Sequence, residues 1–256
     1  MKSKKSSIIL KAIGSFVVIV AIIFSGVLFF HSYYYESVYI SGSSMFPTLV
    51  GADENALYDD SAEKSRLTAD FGIMDSHQSA IKHIKRFDII STYYNDDYYP
   101  GTDSIRYDAT KKIKRVIGLP NETIKIENGY LYVLKGDQNE LVNYPFTTNP
   151  AVDTKYTGKD IGPTPLGSDQ YWVLGDNRQA SHDSATEGAI RYKDICGVLV
   201  SIEGQGQLYI KRFICNQCNR SFKYVKGESN ICPYCGGLGR HVYDIKNKKY
   251  NWPHYF

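Results

Sequence analysis

The chain is 256 residues long and carries 30 Lys and Arg against 27 Asp and Glu, a formal net charge of +3. That balance is too small to argue for a nucleic-acid partner, and the length allows one large or two smaller domains. The 22 tyrosines favour strands and turns over helices, and the five cysteines lie mostly near the C-terminus, so they do not staple the main body.

The first element is an N-terminal helix. Met1–Lys5 is basic, and Ala12–Phe30 holds no charge and is mainly Ile, Val, Phe and Ala. At about 1.5 Å per residue this run spans roughly 28 Å, near the hydrocarbon thickness of a bilayer. A cleavable leader is the rival, but its apolar core is usually shorter, about 7–15 residues. Lysines 2, 4, 5 and 11 precede the run, so the positive-inside rule puts the N-terminus in the cytoplasm and the remainder outside. Tyr33, Tyr34 and Tyr35 suit a membrane interface or the start of a first strand.

Further along, Val38–Ile40 reads as a short strand entering the turn Ser41-Gly-Ser-Ser-Met-Phe-Pro-Thr-Leu49. Gly51–Lys85 is polar, with helical character around Ser79–Lys85. Phe87–Tyr94 and Lys112–Ile117 are β-branched or aromatic strands. Thr123–Glu127 alternates, Asn128-Gly129 supplies a type I′ turn, and Tyr130–Val133 returns. Gly136–Ser168 is loop-rich. Tyr171–Leu174 is a strand running into Gly175-Asp-Asn-Arg-Gln-Ala-Ser-His-Asp-Ser184, and Ile195–Val200 and Gln207–Phe213 are two further strands.

A serine hydroxyl needs a neighbouring base to become a useful nucleophile. A lysine can serve if its amine is neutral, which burial among apolar groups favours. Lys114 lies between Ile113 and the run Val116-Ile-Gly-Leu119, and strand alternation sends Arg115 to the opposite face.

In order, the blocks Ser41–Leu49, Ile113–Pro120 and Gly175–Ser184 behind an apolar N-terminus resemble the type I signal peptidases, membrane-bound Ser/Lys proteases of the bacterial kind. The resemblance extends to about Val200. It implies Ser44 as nucleophile, Lys114 as general base, Ser181 as a hydrogen-bonding orienter of the lysine, and Asp183 as a group tying the site together. It also implies that Asp176, Arg178 and Arg115 brace the site, with Asp176 the partner of Arg115. Small-residue pockets for a peptide bound as an added strand would be lined by Tyr39, Ile40 and Ile113, whose plainer role is core. Departures stand out: Gly42 where some relatives have an oxyanion-holding serine, Asn121-Glu122 for Gly-Asp, Ala185 for arginine and Phe87 for glycine. With Gly42 in place, the oxyanion relies on backbone N–H groups, that of Ser44 first. Ser43 and His182 are the weaker candidates for nucleophile and base.

Outside the resemblance, Cys215-Asn-Gln-Cys218 and Cys232-Pro-Tyr-Cys235 have the spacing of a zinc-ribbon knuckle, with two disulfides the alternative outside the cytoplasm. Cys196 is apolar in context and reads as core.

The resulting expectation is a mainly β, signal-peptidase or LexA-like antiparallel fold with one transmembrane helix and a small C-terminal zinc-ribbon-like knuckle. Its parts are a cytoplasmic stretch 1–7, a span 8–30, a catalytic domain 31–204 outside the cytoplasm and an extension 205–256. Its implied partners are preprotein signal peptides and membrane lipid, without nucleic acid, and it is expected to be a monomer. No cofactor is expected in catalysis, with zinc in a structural role. The alternatives are a LexA-like autoprotease, which would lack the span, and a tethered interaction module using the cysteine knuckle.

Overall fold

The computed structural model describes residues 2–59, 61–106, 109–128, 130–135, 138–141, 160–223 and 230–255. They form two units, Met1–Glu36 and Ser37–Phe256.

The first unit is built on helix α1 (Lys2–Tyr34), which starts and ends outside the expected span 8–30. Ile13, Phe16, Ile22, Phe24 and Phe29 on it are all exposed. Among the described residues no helix is long and apolar enough to cross a membrane.

From there the chain is mainly β. Strands β1 (Tyr35–Tyr39), β2 (Thr68–Asp75), β3 (Ile89–Thr92), β4 (Lys112–Gly118), β5 (Thr123–Glu127), β6 (Tyr130–Lys135) and β7 (Gln138–Leu141) come first. They are followed by β8 (Ile161–Pro165), β9 (Gln170–Leu174), β10 (Ile190–Arg191), β11 (Ile195–Cys215), β12 (Ser221–Lys223) and β13 (Gly239–Tyr255). Two short helices, α2 (Gln78–Lys82) and α3 (Ser184–Glu187), interrupt them.

Among the described residues one sheet has the order β1-β2-β11-β3-β4-β9-β10, with β12 and β13 also on β11; a second has the order β7-β6-β5-β8. The β5–β6 hairpin keeps the expected alternation, with Ile124 and Ile126 opposite Val133 and Leu131. These four side chains are buried with Ile117, Trp172 and Leu174, joining the small sheet to the large one. Asn128 takes the left-handed backbone its turn requires, φ 54°, while Gly129 lies outside the described residues. The loop-rich stretch 136–168 is described only in part.

Two expectations are corrected. Ile195–Val200 and Gln207–Phe213 are one continuous strand, β11, which bends through register shifts and pairs with β2, β3 and β13 in turn. The boundary expected between 204 and 205 falls inside that strand, and β13 pairs along it from Ser201 to Cys215. The C-terminal segment is therefore woven into the main sheet rather than appended to it.

Candidate active site

Three segments meet at Ser44. Its turn is held by backbone bonds on both sides: Gly42 N donates to Ala52 O at 2.8 Å, Phe46 N to Ser43 O at 3.0 Å and Leu49 N to Met45 O at 2.9 Å. Met45 and Leu49 are buried with Ile40, Met74, Ile89 and Leu199, so the turn is bolted to the sheet by its apolar side chains. The Phe46–Pro47 peptide is cis. Ser43 is exposed and Ser44 half-buried, which separates the two candidate nucleophiles.

Strand β4 supplies Lys114, the expected base. Lys114 pairs with Ile90 on β3, and its side chain, 4% exposed, reaches Ser44 with Nζ to Oγ at 2.8 Å. Nζ also donates to the Ile113 carbonyl at 3.0 Å. Burial pushes the amine down from 10.5 to about 8; the Asp183 carboxylate opposes this and Lys112 adds to it. Arg115, the next residue, does turn the other way. It grips Asp176 at two points, Nε to Oδ1 at 2.8 Å and Nη2 to Oδ2 at 2.7 Å, and donates Nη1 to the Phe87 carbonyl at 2.8 Å. Phe87 holds a left-handed backbone, φ 76°, in the position where the resembled family uses glycine.

The segment after β9 forms the third wall. Gly175 packs against Ser44 so closely that a Cβ there would lie 2.4 Å from Ser44 O and 2.1 Å from Ser181 Oγ. Asn177 ties this segment to the serine turn: its N–H donates to Ser44 O at 3.0 Å and its Nδ2 to Ser43 O at 3.1 Å. Asp183 caps α3 and accepts from Gly175 N at 2.9 Å and Ala185 N at 3.1 Å. Arg178 is buried, and burial lowers it to about 10 against the pull of Asp183.

One site expectation changes. Ser181 reaches the site, but its buried hydroxyl has no hydrogen-bond partner among the described residues, so the bond expected to Lys114 is not made. His182, the weaker candidate for the base, is exposed and paired through Nε2 with Glu187 at 2.6 Å. Cys196 is only partly buried, its Sγ donating to Asp194 O at 3.6 Å. Asn121 takes the left-handed turn at φ 65°, and Glu122 accepts from Leu119 N at 2.8 Å and pairs with Arg86.

A cavity of about 280 Å³ opens beside Ser44 and Lys114. It is lined by the expected Tyr39, Ile40 and Ile113, together with Gly42, Glu54, Thr110, Lys112 and Tyr243. Sequence reasoning missed Asn177, although it lies inside the third block, and Tyr243, whose strand carries no signal linking it to the site.

The family described as signal peptidase, peptidase S26, matches residues 9–203. A signal peptidase I P of Bacillus subtilis subsp. natto is 31% identical over 192 residues, 75% of this chain and 85% of that protein. Another protein of the same name and source is 32% identical over 201 residues, 77% of this chain and 89% of that one. The signal peptidase I V of Bacillus subtilis (strain 168) is 35% identical over 139 residues, 51% of this chain and 73% of that protein.

Proposed function

From the premise that the chain belongs to the signal peptidase family, peptidase S26, and is a serine endopeptidase of that kind, we propose that it removes signal peptides from exported preproteins with Ser44 and Lys114 as its catalytic pair. The observation that carries this reading is the 2.8 Å separation of Lys114 Nζ and Ser44 Oγ at an amine that is 4% exposed. A lysine so placed releases its proton near pH 8 rather than 10.5, and in its neutral form it can take the serine's.

The steps follow from the geometry. The preprotein lies in the cavity between the Ser44 turn and Lys112–Lys114, its backbone beside that of Ile113 and small side chains facing Tyr39 and Ile40. Ser44 Oγ attacks the carbonyl carbon of the scissile bond while neutral Lys114 accepts the hydroxyl proton. The oxyanion is stabilised by the Ser44 N–H, since Gly42 offers no hydroxyl. Lys114 returns the proton to the leaving amine and the mature protein departs, leaving an acyl-serine. Lys114 then takes a proton from water, which attacks the acyl carbonyl, and hands it to Ser44 Oγ as the C–O bond breaks; the signal peptide leaves with a free carboxylate and Ser44 is restored. Asp183, Asn177 and the Arg115–Asp176 pair hold these groups in place. No metal or cofactor is needed in these steps.

The same reading includes an uncleaved anchor. It is supported by the uncharged run Ala12–Phe30 and by the lysines that precede it. The catalytic unit would then work at the outer face, where preproteins emerge. Release of the full chain from membranes by alkaline carbonate would reject the anchor.

The activity is tested with detergent-solubilised protein and a preprotein. Ser44→Ala and Lys114→Ala should each lower kcat by on the order of 10⁴ or more. Equal cleavage by wild type and both variants would end the proposal.

A further inference from the structure

The proposed chemistry leaves four clustered cysteine thiols unused. Cys215, Cys218, Cys232 and Cys235 bring their sulfurs within 4.8 Å of one another. Cys215 Sγ lies 3.4 Å from Cys235 Sγ, and Cys218 Sγ 3.7 Å from Cys232 Sγ. A tetrahedron of four thiolates at about 2.3 Å from a zinc ion has edges of roughly 3.8 Å, whereas a bonded sulfur pair needs about 2.05 Å. The near neighbours also join one CxxC turn to the other, as ligands of a shared ion do.

The backbone repeats itself in the two turns. Cys215 N donates to Arg220 O at 2.9 Å, and Cys232 N donates to Gly237 O at 2.7 Å, in each case five residues on. Asn219 N returns to Cys215 O at 3.0 Å and Gly236 N to Cys232 O at 2.9 Å, in each case across four residues. Asn219 and Gly236, each directly after the second cysteine, both take left-handed backbone, φ 56° and 73°. In the first turn, Gln217 N and Cys218 N both donate to Cys215 Sγ at 3.4 Å, bonds that favour a thiolate. Matched turns of this kind present four sulfurs to one centre. An all-thiolate tetrahedral set suits zinc, and four protein ligands leave no open position, so the role is structural.

The position of this cluster gives the role a purpose. Cys215 ends β11 and pairs with Gly239, which begins β13, so the cluster closes the far end of that ribbon. Four residues of β13 near the closure, Gly239, Arg240, His241 and Tyr243, line a second cavity of about 290 Å³ with Asn216. This cavity shares Thr110 and Tyr243 with the one beside Ser44. The two therefore adjoin along one wall, from the nucleophile to the cysteine turns.

We propose that Cys215, Cys218, Cys232 and Cys235 bind one Zn²⁺ as a closed structural centre, and that this centre fixes the wall of a distal section of the substrate groove. The second half rests on the peptidase reading; the first does not. The ion clamps the ribbon end, so that Arg240, His241 and Tyr243 meet preprotein residues remote from the cut with little entropy to lose.

The metal half is tested on the purified full chain by zinc analysis, thiol titration and cobalt substitution. One zinc per chain, thiols that react only after chelation, and the ligand-field spectrum of tetrahedral cobalt-thiolate are expected. Sub-stoichiometric zinc from zinc-replete growth, with the four cysteines oxidised or freely reactive, would overturn it whatever the chain does to preproteins. The groove half is tested by steady-state cleavage. Cys218→Ser with Cys235→Ser, the two less buried ligands, should abolish zinc binding and raise KM for the preprotein about threefold to tenfold with kcat nearly kept. Arg240→Ala should raise KM similarly while keeping the zinc, which guards against a cysteine variant that fails to fold. An unchanged KM in Arg240→Ala and in the zinc-free protein, or an equal loss of kcat in both, would overturn the distal groove.

Discussion

Arg115 and Asp176 form a two-point ion pair with both side chains 1% exposed, 2.7 Å at its shorter contact. Arg115 follows Lys114 on β4, and Asp176 follows the glycine packed against Ser44. The pair therefore joins the strand carrying Lys114 to the segment that backs Ser44. Removing one partner leaves the other charge buried without this counter-charge, which typically costs about 3–5 kcal/mol. Asp176→Asn should lower unfolding stability by that order in chemical denaturation. Arg115→Met combined with Asp176→Leu should recover much of the loss, because two charges no longer need desolvation. Equal destabilisation by the single and double variants would show that the pair does not act as a unit.

The pH dependence of cleavage should follow Lys114. Its ammonium is disfavoured chiefly by burial, which brings the amine to about 8. Only the neutral amine accepts the serine proton, so kcat/KM should rise with pH through a single ionisation near that value. Below it the rate should fall about tenfold per pH unit. A profile flat between pH 6 and 9 would be incompatible with Lys114 as the base.

Close packing behind the nucleophile gives a third expectation. A Cβ at position 175 would meet Ser181 Oγ at 2.1 Å and the Ser44 carbonyl at 2.4 Å. The serine hydroxyl can rotate away, but the carbonyl belongs to the nucleophile's own backbone. Gly175→Ala should therefore displace Ser44 relative to Lys114. A shift of about 1 Å can cost roughly 10²-fold in rate, and the loss should appear in kcat more than in KM. A variant with wild-type kcat would mean that the turn relaxes without moving Oγ.

The site was legible wherever chemistry dictates residue type at short range. The Ser44 turn, the apolar run around Lys114 and the alternation that turns Arg115 away can all be read locally. Strand β2 was hidden because Thr68–Asp75 is buried along most of both faces and carries Asp70 and Gly72, so no period of two survives. Strand β11 looked like two because Gly204 and Gly206 interrupt it. At Gly204 the β13 backbone comes so close that a Cβ would lie 2.1 Å from Lys249 O. Strand β13 is rich in Lys, Asn and Tyr and exposed at Arg240 and over 246–250, so its pairing with β11 is a long-range choice. Tyr243 enters the cavity through that pairing alone. The hydroxyl of Ser181 lies against Gly175, but its bonding depends on rotamers that sequence does not specify.

A stability cost at Lys114, the proposed base, is the last expectation. The amine titrates near 8 in the folded chain and near 10.5 when solvated. The folded state therefore binds this proton more weakly than the unfolded state does. The resulting penalty is absent above about 10.5, grows as pH falls through 8, and is constant below that. The interval corresponds to roughly 3 kcal/mol at its full value. Lys114→Met keeps the length and the apolar contacts of the side chain and removes the charge. It should raise unfolding stability at pH 7 by about 1–3 kcal/mol while abolishing cleavage. The gain should shrink as the pH approaches 10, because wild type by then buries a neutral amine. Denaturation of both proteins at pH 7 and 10 checks the sign: a Met variant less stable than wild type at pH 7 would show that bonds to Ser44 and Ile113 outweigh the cost of burying the ammonium.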